Sequence, residues 1–205
     1  MKKVLLLLVS VCLLAGMSSC KRTINKMLNE ATQSSAFDNA KDIPDVRTLN
    51  DVKEMLLSKC DTEKMPVYAI GLFEIEELSG KALFANVKML NADRTQTYSQ
   101  NFQFDGEVSA LDSSSDKPNK SPIDLKTFDM NMIAKGIEDA KSQIPEGYTY
   151  RTVRNLLIED GTTRITIAVT KDGEETVTNA GQTSEVYYNA DFEIDNATGK
   201  ATDKN

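Results

Sequence analysis

Residues 185–194 alternate without a break. Val186, Tyr188, Ala190, Phe192 and Ile194 interleave with Glu185, Tyr187, Asn189, Asp191 and Glu193. In an extended strand, successive side chains point to opposite faces, so such a strand buries one face and wets the other. That pattern belongs to antiparallel sheets, which tolerate water on one side. It recurs where Ile165, Ile167 and Val169 alternate with Arg164, Thr166 and Ala168. Leu83, Ala85, Val87 and Met89 alternate around Asn86 and Lys88, and Tyr98, Phe102 and Phe104 oppose Ser99, Asn101 and Gln103. Tyr148 to Ile158 reads as a further strand, and Glu174 to Thr178 as a short one before a polar loop at Asn179 to Ser184. Val67 to Glu76 differs. Tyr68, Ile70 and Leu72 share one parity, while Phe73 and Ile75 share the other. Either a bulge or a strand buried on both faces accounts for the switch. Turns are expected at Ser79-Gly80, Asn91 to Arg94, Asp105-Gly106, Asp160-Gly161, Lys171-Asp172-Gly173 and Asp195 to Lys200, with a frayed tail beyond.

Two stretches keep helical spacing instead. Thr48 and Asp51 form a capping signature, and Leu49, Val52, Met55 and Leu56 follow on one face up to Lys59. Ser121-Pro122-Ile123-Asp124 offers an N-cap hydroxyl, a proline at the first helical position and a carboxylate at the third. The predicted helix carries Leu125, Phe128, Met132, Ile133, Ile137 and Ala140 on one face and stops before Ile144-Pro145. At about 1.5 Å per residue it would run about 33 Å. Gly136 inside it costs about 1 kcal/mol relative to Ala, which close approach of a strand would explain.

These elements predict an α+β fold of two lobes, 46–111 and 122–200, each with one helix packed on an antiparallel sheet. Between them, residues 112–121 read as an exposed linker, because Asp-Ser-Ser-Ser-Asp-Lys-Pro-Asn-Lys-Ser supplies nothing to a core. Met65-Pro66 and Ile144-Pro145 occupy the same helix-to-strand junction. Two readings stay open, an internal duplication or grammar that α+β folds share. The second half ends in Glu193-Ile194-Asp195-Asn196-Ala197-Thr198-Gly199-Lys200. Over residues 121–202 it resembles the PepSY-type secreted modules, whose last strand often ends in a similar Asp-x-x-Thr-Gly turn. That resemblance implies a helix on a small sheet and a module that binds or inhibits peptidases. No site residue comes with it.

The first twenty residues address the chain. Lys2 and Lys3 precede the apolar run Val4 to Val9, which continues through Val11, Cys12, Leu13 and Leu14. Ala15, Gly16, Met17, Ser18 and Ser19 then lead to Cys20. A basic start, a short apolar run and a small-residue end make a secretory signal, and the run falls short of the roughly 20 apolar residues a membrane span requires. Ending on cysteine, it resembles a bacterial lipoprotein signal in a relaxed form. The resemblance implies removal of residues 1–19, a diacylglycerol on the Cys20 sulfur and often a third acyl chain on its amino group. One acyl chain anchors marginally and two or more hold firmly. The alternative is an ordinary signal cut near Ser19 that leaves Cys20 a plain thiol. By resemblance to lipoprotein sorting, non-acidic Lys21 implies the outer membrane, with the body facing the periplasm or the outside. Residues 20–45 are expected to be a lipidated tether, with Ile24, Met27, Leu28 and Ala31 at helical spacing.

Charge and composition narrow the function. The chain carries −7, and residues 1–19 hold Lys2 and Lys3 and no acid, so the remainder stands at −9. An acidic surface argues against nucleic acid and against a polybasic membrane contact. The membrane partner is therefore reached through lipid on Cys20. With Cys12 removed and Cys20 lipidated, Cys60 alone remains, so no disulfide within the chain is expected. Cys60 reads as a half-buried small residue, with a reactive thiol or an intermolecular disulfide as the sharper alternatives.

The chain has no histidine. That removes Ser-His and Cys-His nucleophiles and most zinc sites. Glu74 and Glu76 share a strand parity as a paired acid and base would, but a solvated strand face explains them more simply. Asp191, Asp195 and Asn196 do not follow the EF-hand spacing. No catalytic residue, metal or cofactor is expected, and the chain does not read as an enzyme. Two functions compete. One is a protein- or peptide-binding or envelope-assembly module that uses a sheet face or strand edge. The other is a periplasmic carrier of a small apolar ligand between sheet and helix, lined by Tyr148, Tyr150, Tyr187 and Tyr188.

Overall fold

The computed structural model describes residues 38–179 and 182–204. The expected signal, the expected lipid attachment at Cys20 and most of the expected tether lie outside them. The fold is α+β. In chain order the elements are β1 (Lys41–Asp42), α1 (Val46–Lys59), β2 (Val67–Phe73), β3 (Lys81–Ala82), β4 (Phe84–Leu90), β5 (Thr97–Gln103) and β6 (Asp112–Ser113). There follow α2 (Met130–Ser142), β7 (Tyr148–Glu159), β8 (Thr162–Lys171), β9 (Thr176–Asn179), β10 (Gln182–Glu185), β11 (Tyr188–Asp195) and β12 (Lys200–Asp203). Eight strands form one antiparallel sheet in the order β12-β11-β8-β7-β2-β4-β5-β6. β1 pairs with β3, and β9 pairs with β10, in two small hairpin-sized sheets.

The two halves match in plan. In each, a helix leads into a strand, and three more strands step outward from it: β2, β4, β5, β6 on one side and β7, β8, β11, β12 on the other. The first strands of the halves meet at the centre, Ile70 opposite Ile158 and Leu72 opposite Leu156. The halves are therefore not separate lobes, as the sequence suggests. β2 and β7 lie edge to edge in one sheet, and one core holds Leu49, Val52 and Leu56 of α1 with Ile133 and Ile137 of α2. Both first strands are rich in apolar residues and neither is a protected edge, so mutual pairing satisfies both rows of backbone groups.

Both helices pack on one face of the sheet. From the strands, Ile70, Leu72, Ala85, Val87, Leu156, Ile165, Ile167, Phe192 and Ile194 point into that layer. The expected reason for Gly136 holds: a β-carbon there would lie 2.3 Å from Cγ2 of Ile194. β2 is buried on both faces from Val67 to Leu72, while Phe73, where the parity switches, is exposed; the register shift lies earlier, between Val67 and Ala69.

Several boundaries move. Ile43 is fully buried, so the body begins with β1 rather than at residue 46. Asp45, not Thr48, caps α1, its side chain accepting the Arg47 N–H at 2.8 Å, and Thr48 is buried inside the helix. The Ser121-Pro122 signature starts no long helix. The Ile123 N–H donates to the Val67 carbonyl at 2.7 Å, and Ile123 and Leu125 enter the core. Asp124 then caps a single turn before Asp129 caps the true α2, which has 13 residues. Phe128 sits half-buried in that turn instead of on the helix. The tail is not frayed either: β12 pairs with β11 and buries Ala201.

The uncovered face of the sheet as a candidate functional site

Strand alternation that points Val87 and Leu156 toward the helices points their neighbours the other way. Phe84, Asn86, Lys88 and Leu90 of β4, Ser99 and Asn101 of β5, Leu157 of β7, and Thr166, Asn189 and Asp191 of β8 and β11 share this second face. Asn86 Nδ2 donates to Asn101 Oδ1 at 2.7 Å, and Thr166 Oγ1 to Asp191 Oδ1 at 2.7 Å. Near the centre, Phe73 is 45 % exposed. Its ring lies over Gly71, where a β-carbon would come within 2.6 Å of it. A glycine in mid-strand here makes a seat for an aromatic ring.

Two structures border the face. The first is a strap made by residues 114–120. Thr97 Oγ1 donates to the Asp116 carbonyl at 2.8 Å, and the Tyr68 hydroxyl and Lys88 Nζ both donate to Asp116 Oδ2, at 2.8 and 2.7 Å. Tyr68, Ala69 and Leu90 form a small second core at the strap. Hydrogen bonds from Lys88 and Tyr68 hold the Asp116 carboxyl below its ordinary range. Burial, with Asp116 adding to it, pushes the Tyr68 hydroxyl up to about 12. The expected linker is exposed over most of its length, but it is docked by polar groups and supplies β6 to the sheet edge. Its composition hides this, because Thr97, Tyr68 and Lys88 provide the partners.

The second border is a charged cluster at the far end of β2. Arg154 sits at a register shift of β7 and donates from Nε to Glu74 Oε1, and from Nη1 to Asn189 Oδ1 at 3.2 Å. The Tyr187 ring stacks on its guanidinium at 4.8 Å, and the Tyr187 hydroxyl donates to Glu77. Glu74 is buried in this pairing, while Glu76 is exposed in the loop beyond β2. The two do not form an acid–base pair. The salt-bridged Glu74 and the aromatic Tyr187 fix the loop against the β8–β11 end of the sheet.

Of the four tyrosines expected to line a carrier pocket, Tyr148, Tyr150 and Tyr188 gather around Val169 and Tyr187 lies apart. Tyr148 meets Tyr188 edge to face at 5.9 Å, Tyr150 lies under Lys141 Nζ at 4.7 Å, and Tyr187 belongs to the Arg154 cluster. Cys60 caps the end of α1, and burial pushes its thiol up to about 11, which leaves little thiolate at neutral pH. Asp195 accepts the Ala197 and Thr198 N–H groups at 2.9 Å each. Asn196 clasps the β7–β8 turn through the Thr163 hydroxyl and the Glu159 carbonyl. The turn that resembles PepSY modules is occupied with its own structure. Among the described residues, no cluster of three or more acidic, cysteine or histidine side chains is placed to hold a metal. None of the described helices is long and apolar enough to cross a membrane.

No family model matches the chain, and neither curated proteins nor solved structures yield a match.

Proposed function

We propose that the chain is a non-catalytic binding or assembly module, tethered to the outer membrane by lipid on Cys20, that holds a protein or peptide partner on the uncovered face of its sheet. The observation that carries this reading is Phe73, a large ring 45 % exposed on a face that both helices leave open. A broad sheet with a central aromatic and a polar surround matches the usual anatomy of a recognition surface, an apolar centre within a polar rim. Close packing of Ile194 against Gly136 favours this over the carrier, because that layer is filled by side chains.

A photo-crosslinking residue at Phe73 tests the reading, with Glu138 on the exposed side of α2 as the control. Discrete adducts from position 73 in intact cells are expected. Adducts from position 138 alone would place recognition on the helices and end this proposal. The tether is tested separately. The mature N-terminus should begin at Cys20 with a diacylglyceryl mass, and Cys20→Ser should release the protein from the membrane fraction. An unmodified mature chain that starts elsewhere would refute the anchor without touching the sheet.

A further inference from the structure

Between the strap and the β7–β8 hairpin, the uncovered face dips into a cleft of about 400 Å³. Ala69 makes a low floor there, flanked on neighbouring strands by Lys88 and Glu159, with Tyr68 and Leu157 beside it. Four cations line the cleft, Lys88, Lys117, Lys120 and Arg164, against two carboxylates, Asp116 and Glu159. The local balance is positive in a chain whose net charge is −7.

The carboxylates are already engaged. Asp116 takes Lys88 and Tyr68 on one oxygen, and Glu159 bridges Lys120 Nζ at 3.3 Å and Arg164 Nη2 at 2.5 Å. They hold three cationic heads at the rim and leave positive charge over. Among the described residues, Lys117 makes no ion pair and Arg164 commits only Nη2 of its fork. Heads fixed in this way lose little freedom when a ligand arrives, which is what makes a preorganised site bind. Tyr68 stays a neutral hydroxyl at any physiological pH and adds no competing charge.

We propose that this cleft binds a small organic anion, a carboxylate or a phosphate monoester, its charge met by Lys117, Lys120 and Arg164 and its apolar body resting on Ala69 and Leu157. An Arg fork and lysine point charges are the usual receptors for both groups. The apolar floor requires a ligand with a carbon body and not a bare ion. The acidic remainder of the surface repels anions elsewhere, so that binding concentrates here. The proposal does not depend on the macromolecular partner proposed above.

The test is an amide-resolved NMR titration of the mature chain with three probes that share one ring: phenyl phosphate, benzoate and neutral benzyl alcohol. Saturable shifts at Ala69, Asn119 and Leu157 are expected with the two anions and not with the alcohol. Tighter phenyl phosphate assigns a phosphate ligand, and tighter benzoate assigns a carboxylate. The double variant Lys117→Gln, Arg164→Gln should weaken anion binding at least about tenfold with the thermal midpoint held, since both side chains are exposed. Raising the salt should weaken it too. Equal shifts from the alcohol, shifts scattered over Lys81 and Lys200, or an unchanged affinity in the double variant would each overturn the proposal.

Discussion

At Gly136 the missing side chain is occupied by a neighbour. A β-carbon would stand 2.3 Å from Cγ2 of Ile194 and 2.9 Å from its Cγ1, both parts of a fully buried side chain. Gly136→Ala removes the helix penalty of glycine, about 1 kcal/mol, yet forces overlap that costs about 1–3 kcal/mol. A net loss of stability is expected, read as a lowered denaturant midpoint with an unchanged slope, and Ile194→Val should partly restore it. Ile137→Ala in the same layer opens a cavity and should cost about 2–5 kcal/mol. Cys60 yields a kinetic prediction. With its thiol raised to about 11, alkylation of the folded chain at pH 7.5 should run far slower than that of a free thiol and recover in denaturant. The sequence announces Gly136 because glycine is out of place in a helix. Cys60 is half-buried, as a lone cysteine at a helix end suggests, but how far its thiol is raised depends on the chain that packs around the end of α1.

The strap shows where local signals stop being informative. Ser121-Pro122-Ile123-Asp124 has every mark of a helix start, but the Ile123 N–H is claimed by the Val67 carbonyl and the helix begins eight residues later, at Met130. Tertiary hydrogen bonding overrides capping preference there. Residues 112–116 are largely exposed, as a run of Ser and Asp implies, but composition does not show that Tyr68, Lys88 and Thr97 lock Asp116 onto the sheet. Its lock has a definite pH range. The depressed Asp116 pKa contributes stability above the ordinary value of 3.8 that is lost as pH falls through the lower folded value. The raised Tyr68 pKa contributes stability below 10 that is lost as pH climbs from 10 toward about 12. Strap docking should therefore be flat between these limits. Tyr68→Phe should remove the alkaline limb and Asp116→Asn the acid limb, as read from hydrogen exchange at Thr97 and Ser114.

At the level of the molecule, strand identity was legible and strand partnership was not. Alternation locates β4, β5 and β8 to within about two residues, whereas β11 starts at Tyr188, three residues after the alternation begins, because Glu185 belongs to β10. Alternation is silent on which strands meet, because pairing of β2 with β7 joins residues as far apart as Ala69 and Glu159 and leaves no local trace. The consequence is measurable. A protease cut at Lys117 or Lys120 should not separate two lobes. The two fragments should co-elute under native conditions and unfold in one transition, since one sheet and one core run through both. Two transitions would restore the lobes.

The order of strands about the β2–β7 seam also carries a hazard. Each half presents the same edge to the other, with both strands running oppositely, as two copies of one subunit would across a two-fold axis. A half produced alone keeps its helix and its four strands but bares the seam. Its nearest substitute partner is another copy of itself. Residues 40–113 alone are thus expected to sediment as a dimer at micromolar concentration, and residues 122–204, added in excess, to exchange into it.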